Sequence, residues 1–147
     1  DLDNLGYVRL LVTQNIDGLH QLAGHAYDRI VELHGTNRKI ECVVWGALSE
    51  PDPVFEEFDQ TGVPPECHCG GFLKPATISF GQAMPSGKLH QAMEGALKAD
   101  FVLSIGSTLE VEPAASVPRM AKETGAAMFA TAAAMRSVSR PVIAIRN

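Results

Sequence analysis

The sequence predicts an α/β protein built on a parallel sheet, and three observations carry that expectation. Short apolar, β-branched runs end at polar or glycine-bearing turns, and helix-forming stretches lie between them. One cysteine-bearing, acid-rich interval interrupts the alternation.

In chain order, Tyr7 to Thr13 is an apolar run suited to a buried parallel strand. It stops at Gln14-Asn15-Ile16-Asp17-Gly18, a polar turn leading into a short helix from Leu19 to Ala23. A second short strand, Ile30 to Gly35, ends on its glycine. From Cys42 to Leu73 the composition changes: all three cysteines and six acids lie here, with no Lys or Arg. This interval reads as a separate small module, 42–73, set between segments 1–41 and 74–147 of the main domain. Lys88 to Ala99 predicts a helix with Leu89, Met93, Ala96 and Leu97 on one face. Phe101 to Gly106 is the clearest strand, Pro113 opens a helix over 114–124, and Gly125 stops it. Residues 126–140 are alanine-rich and read as irregular, and only Pro141 to Asn147 returns to a strand-like pattern.

Composition narrows the function classes. A chain of 147 residues, 46% hydrophobic and 20% charged, can bury the core of a soluble domain. No apolar run approaches bilayer length, so no membrane partner is expected. Twelve basic residues against seventeen acids, net −5 with no basic run, argue against direct nucleic acid binding. The chain opens on Asp1 with no Met and no signal-peptide pattern, so the domain reads as beginning abruptly. An odd cysteine count, with Cys67 and Cys69 two apart, is a poor disulfide framework. It suits a reducing, cytoplasmic setting and points to a metal.

Two motifs carry chemistry. In Thr13-Gln14-Asn15-Ile16-Asp17-Gly18-Leu19-His20, amides and a carboxylate follow a parallel strand, where α/β sheets bind ligands. Amides can both donate to and accept from ribose hydroxyls. The same residues also suit a turn that merely ends a strand. In His34-Gly35 a strand-terminal histidine can act as a general base, or simply be a satisfied structural residue.

Taken together, TQNIDGLH at 13–20, ELHG at 32–35, KPATISFG at 74–81 and SIGSTLEVEPA at 104–114 resemble the sirtuin family in order and spacing. The resemblance covers Tyr7 to Gly125. It implies a Rossmann-like NAD-binding domain with an inserted zinc-ribbon-type module, and NAD-dependent deacylation of acyl-lysine protein or peptide. His34 then matches the general base that deprotonates a ribose hydroxyl once the acyl oxygen has displaced nicotinamide. Asn15 matches the residue that orients the nicotinamide ribose and a water. Asp17 matches the acid on the carboxamide, and Gln14 a ribose-contacting amide. Gly106, Ser107 and Thr108 match the turn on the adenosine side. Ile78 to Gln82, with Phe80 and Gly81 between, and Glu110 to Val111 match two strands that clamp the peptide backbone. Gln82 stands where many relatives have Glu, which implies altered peptide preference.

The resemblance also defines departures. The glycine-rich segment that cradles the NAD pyrophosphate would lie upstream of residue 1, so the isolated chain is expected to bind NAD poorly. The first zinc pair reads Cys42-Val43-Val44-Trp45 instead of C-x-x-C. Cys42, Cys67 and Cys69 leave three thiolates where structural zinc takes four ligands, and an indole offers only a donor. His68, the nearest substitute, is expected to point away. Three free cysteines without metal is the other reading of the trio. The strand that should follow Gly125 and end in an adenosine-contacting Asn is out of register, with Asn147 as its nearest counterpart. A non-catalytic remnant that keeps a peptide groove is the alternative to an enzyme, and ADP-ribosyl transfer to protein would use the same residues.

Overall fold

The computed structural model describes residues 2–131 and 142–146. Within them the chain runs β1 (Leu10–Thr13), α1 (Leu19–Leu22), β2 (Ile30–Glu32), β3 (Gly35–Cys42), β4 (Leu48–Ser49) and α2 (Pro51–Thr61). It continues through β5 (Leu73–Thr77), α3 (Ser86–Leu97), β6 (Phe101–Ile105), α4 (Ser116–Glu123), β7 (Ala127–Thr131) and β8 (Val142–Arg146).

A five-stranded sheet has the order β2-β1-β8-β6-β7. β1 pairs parallel with β2 and β6 parallel with β7, while β8 lies antiparallel between β1 and β6. Four strands therefore share one direction and bring their carboxyl ends to one edge. Every residue of β1 is buried, as suits a strand covered on both faces. Alternation along it splits the core in two. Leu10 and Val12 join Val31, Leu33 and Val102 beneath α3 and α4, whereas Leu11 packs with Val8 and Ile30. The helices present small residues one turn apart, Ala92 with Ala96 and Val117 with Ala121, all fully buried, so they sit close to the sheet.

The second sheet, β4-β3-β5, is antiparallel throughout. β3 starts three positions after β2 ends, so Leu33 and His34 alone carry the chain from one sheet to the other. Gly35 makes that crossing: its φ is +74°, and a Cβ there would lie 2.1 Å from the Ala76 carbonyl oxygen. α2 covers this module, with Pro51 in its first turn and left-handed Gly62 at its end.

Three expectations are corrected. Residues 127–131 are not irregular but form β7, because the neighbouring parallel strand β6 supplies the hydrogen bonds that local propensity does not. The segment after Pro141 is a strand, but it enters antiparallel and makes the sheet mixed. Neither Ile78 to Gln82 nor Glu110 to Val111 forms a strand, although the Ile78 N–H still bonds the His34 carbonyl (2.9 Å). The former turns at Gly81, where the Gln82 N–H donates to the Ser79 carbonyl (3.0 Å). Residues 132–141 and Asn147 lie outside the described residues. Among the described residues no helix is long and apolar enough to cross a membrane.

Candidate active site and thiol cluster

The shared carboxyl edge collects three turns. Gln14–Asp17 follows β1, Leu33–His34 follows β2, and Gly106–Thr108 follows β6. That edge is where open α/β sheets hold ligands. In the first turn the Asn15 N–H donates to the Thr13 hydroxyl (3.0 Å). The Asp17 carboxylate accepts from the Leu19 N–H (3.0 Å), an Asx turn that starts α1. The Asn37 N–H donates to the Ile16 carbonyl (2.8 Å), tying the turn to β3. Gly18 is left-handed (φ +69°), and a Cβ there would lie 2.0 Å from Arg38 Cδ. The turn is thus clamped from the second sheet by a cationic residue that the motif did not reveal. Gln14 is buried. The Asn15 Oδ1 is also buried and has no hydrogen-bond partner among the described residues. Such an acceptor is costly unless a donor arrives.

His34 is half-buried between main-chain anchors on either side. The preceding Leu33 is fully buried and donates its N–H to the Thr13 carbonyl (2.9 Å). The His34 carbonyl accepts from the Ile78 N–H (2.9 Å). At the third turn the Gly106 N–H donates to Thr131 (3.0 Å), and buried Ser107 accepts from the Leu109 N–H (3.0 Å). Thr108 is exposed. Phe80 is fully exposed, Gly81, Gln82, Glu110 and Val111 are also exposed, and Ile78 is half-buried. They lie on the β5–α3 and β6–α4 connections rather than in one ladder.

A polar cluster beside the first turn was not read from the sequence. His20 packs edge-on against His25, with ring centroids 6.1 Å apart. His25 Nδ1 lies 2.8 Å from one oxygen of Asp3, and Arg29 lies 2.6 Å from the other. Burial first, and then the neighbouring His25, lower the His20 pKa below 6.5, against the opposing pull of Asp17 and Glu32. The contacting pairs His20–His25, Asp3–His25 and Asp3–Arg29 lie 5, 22 and 26 residues apart, separations that follow neither a helical nor a strand period, so no pattern announced this group.

The second candidate site lies at the far end of β3. Sγ atoms of Cys42, Cys67 and Cys69 all fall within 4.8 Å of one another, with Cys42 and Cys69 3.5 Å apart. The Trp45 indole N–H donates to the Cys67 sulfur (3.3 Å). The Cys69 backbone N–H and then that indole hold the Cys67 thiol down to about 6. Cys69 is pushed up, because desolvation and the Cys42 and Cys67 sulfurs outweigh a favourable Gly71 N–H. His68 does not simply point away. Its Nδ1 lies 3.5 Å from the Cys67 sulfur and its ring stands edge-on to Trp45 at 5.2 Å, yet it is not part of the mutually close set. The donor set therefore supplies three of the four ligands that closed tetrahedral zinc takes.

Comparison with known proteins places this geometry. The chain is 44% identical over 125 residues to an NAD-dependent protein deacetylase of Sulfurisphaera tokodaii, covering 85% of this chain and 48% of that protein. It is 47% identical over 122 residues to one of Rhodopseudomonas palustris, covering 82% and 48%. A solved Sir2 complex with a p53 peptide and NAD+ superposes with a TM-score of 0.80 at 30% identity, covering 86% of this chain and 52% of that one. Sir2Af2 bound to a myristoylated histone peptide gives 0.75 at 38% identity, covering 88% and 54%. The chain thus spans about half the length of the relatives it matches. With the family model for Sir2 matching residues 1–113, the chain belongs to the Sir2 family.

Proposed function

We propose that the carboxyl edge of the larger sheet serves NAD-dependent removal of acyl groups, acetyl foremost, from protein lysines, with nicotinamide and O-acyl-ADP-ribose as products. Relatives carry the name NAD-dependent protein deacetylase, and solved neighbours hold NAD+ and acylated peptides. The observation that carries the reading is that Gln14–Asp17, His34 and Gly106–Thr108 share one sheet edge, where the buried Asn15 oxygen has no hydrogen-bond partner among the described residues. That oxygen accepts from a ribose hydroxyl or a water. The turn that presents it is held by the Thr13 hydroxyl and by the Asn37 N–H.

His34 is the group in this set suited to take a ribose proton near neutral pH. Asp17 and Gln14 position the nicotinamide end, and Gly106 to Thr108 the adenosine end. Exposed Phe80 to Gln82 and Glu110 to Val111 offer backbone to an extended acyl-lysine peptide, whose arrival would supply the ladder they lack. Cys42, Cys67 and Cys69 hold zinc weakly with three ligands, and the setting is cytoplasmic.

The test uses a protein of the relatives' full length, with release of acyl groups from a lysine peptide followed by mass spectrometry. His34→Ala is expected to lower turnover on the order of 100- to 10,000-fold. Peptide binding, measured separately, should persist. Turnover within a few-fold of the parent would remove His34 from the mechanism.

A further inference from the structure

The fourth corner of the thiol cluster carries an inference of its own, independent of the deacylase reading. A closed zinc site needs a fourth ligand, and here that corner holds an indole that cannot ligate. The residue that could ligate, His68, is drawn against Trp45 and lies outside the mutually close set. We propose that Cys42, Cys67 and Cys69 form a three-sulfur site for a soft monovalent ion of the Cu(I) class, with Trp45 closing the corner that zinc would need.

The chemistry of the donors supports this choice. Thiolates select Cu(I) and zinc among biological metals. Zn(II) takes four ligands in closed sites, whereas a d10 monovalent ion is satisfied by three sulfurs. Three thiolates on a single positive charge leave excess negative charge, which must be met by hydrogen-bond donors. One such donor points at the sulfurs, the Trp45 indole N–H at Cys67 (3.3 Å). Access is built in, because Cys42 is buried while Cys67 is partly exposed and Cys69 exposed. An ion can enter from the Cys69 side and displace the proton from each sulfur that still carries one.

The packing beneath the cluster fixes its shape. A Cβ at Gly71 would lie 2.6 Å from Val44 Cγ2 and 3.0 Å from the Cys42 sulfur, so the Cys67–Gly71 turn sits tightly on the Cys42–Gly46 turn. The two turns are joined by a Val43 N–H bond to the Phe72 carbonyl (3.0 Å). The sulfurs are therefore gathered by contacts between the two turns.

Trp45 is the chain's single tryptophan, so its emission reports on this corner alone. The experiment titrates the full chain anaerobically with Cu(I) from a chelator-buffered solution, with Ag(I) as a redox-inert probe, and separately with Zn(II) against a chromophoric chelator. One equivalent of Cu(I) or Ag(I) is expected to bind and quench Trp45. Trp45→Cys is expected to raise zinc affinity at least about 10- to 100-fold and to change Cu(I) affinity only a few-fold. If that variant does not fold, Trp45→Phe keeps the ring without the N–H, and zinc should remain weak in it. Zinc bound by the parent as tightly as by Trp45→Cys would overturn the proposal, as would tight zinc in Trp45→Phe. So would an unchanged Cu(I) stoichiometry in the Cys67→Ser, Cys69→Ser double variant.

Discussion

The two sheets of this molecule are held in opposite ways. The five-stranded sheet encloses Val12, Val31, Leu33 and Val102 at no more than 1% exposure, beneath helices that contribute buried alanines. The three-stranded module buries Ile40 and Cys42 but leaves Val44, Trp45, Leu48, Phe55, Phe58 and Phe72 exposed. The larger sheet is stabilised by packed apolar area, and the module by backbone hydrogen bonds between its strands and turns. The candidate active-site turns stand on the packed sheet, where rigidity keeps an unpaired Asn15 oxygen in place. The surface that would meet a peptide lies on the connections leaving both sheets.

This contrast can be broken experimentally, beginning with the largest effect. Leu33→Ala removes a fully buried side chain immediately before His34. It should cost about 2–5 kcal/mol of stability by denaturant unfolding. A loss near zero would mean that the packed core does not govern the first sheet. Gly35→Ala attacks the crossing between the sheets and should cost about 1–3 kcal/mol through backbone strain, with additional loss from the clash at Ala76. Full stability in that variant would show that the two sheets can separate at His34.

Acidification gives a subtler probe of the first region. The lowered His20 pKa means that folding favours the neutral ring. The unfolded chain then binds more protons once the pH falls below 6.5. The contribution is complete above the unfolded value and is lost as pH falls through the lower folded one. Urea midpoints between about pH 7.5 and about pH 5 should fall more steeply in the parent than in His20→Gln. Parallel slopes would exclude His20 as a source of the acid loss. The smallest effect belongs to the module: Phe58→Ala, on the exposed side of α2, should change stability by no more than about 0.5 kcal/mol. A loss as large as that of Leu33→Ala would erase the distinction between the two regions.

Much of the sheet edge that carries the candidate site was legible in the sequence because the motifs are local. A β-branched run followed by Gln14-Asn15-Ile16-Asp17-Gly18 contains its own strand, its own stop and its own polar turn. Ile30 to Gly35 and Phe101 to Gly106 behave likewise, and helix α3 follows the face through Leu89, Met93 and Ala96, although Leu97 is exposed and Ala92 takes its place in the core. The clamp by Arg38 was hidden, since a side chain twenty residues away has no reason in local pattern to lie on Gly18. The His20–His25–Asp3–Arg29 group was hidden for the same reason.

The sequence by itself determined strands β1, β2 and β6, helices α1, α3 and α4, where the polar turns after those strands fall, and that one thiolate of a four-ligand set is replaced by Trp45. These properties depend on periodicity, on glycine and proline, and on the donor and acceptor inventory of each side chain. Only the tertiary structure decided that β8 lies antiparallel between β1 and β6, that residues 127–131 become a strand, and that the Trp45 N–H meets the Cys67 sulfur. The physical reason is that a strand's hydrogen bonds are made to a neighbour distant in sequence. Which neighbour is available is settled by the whole sheet rather than by the strand.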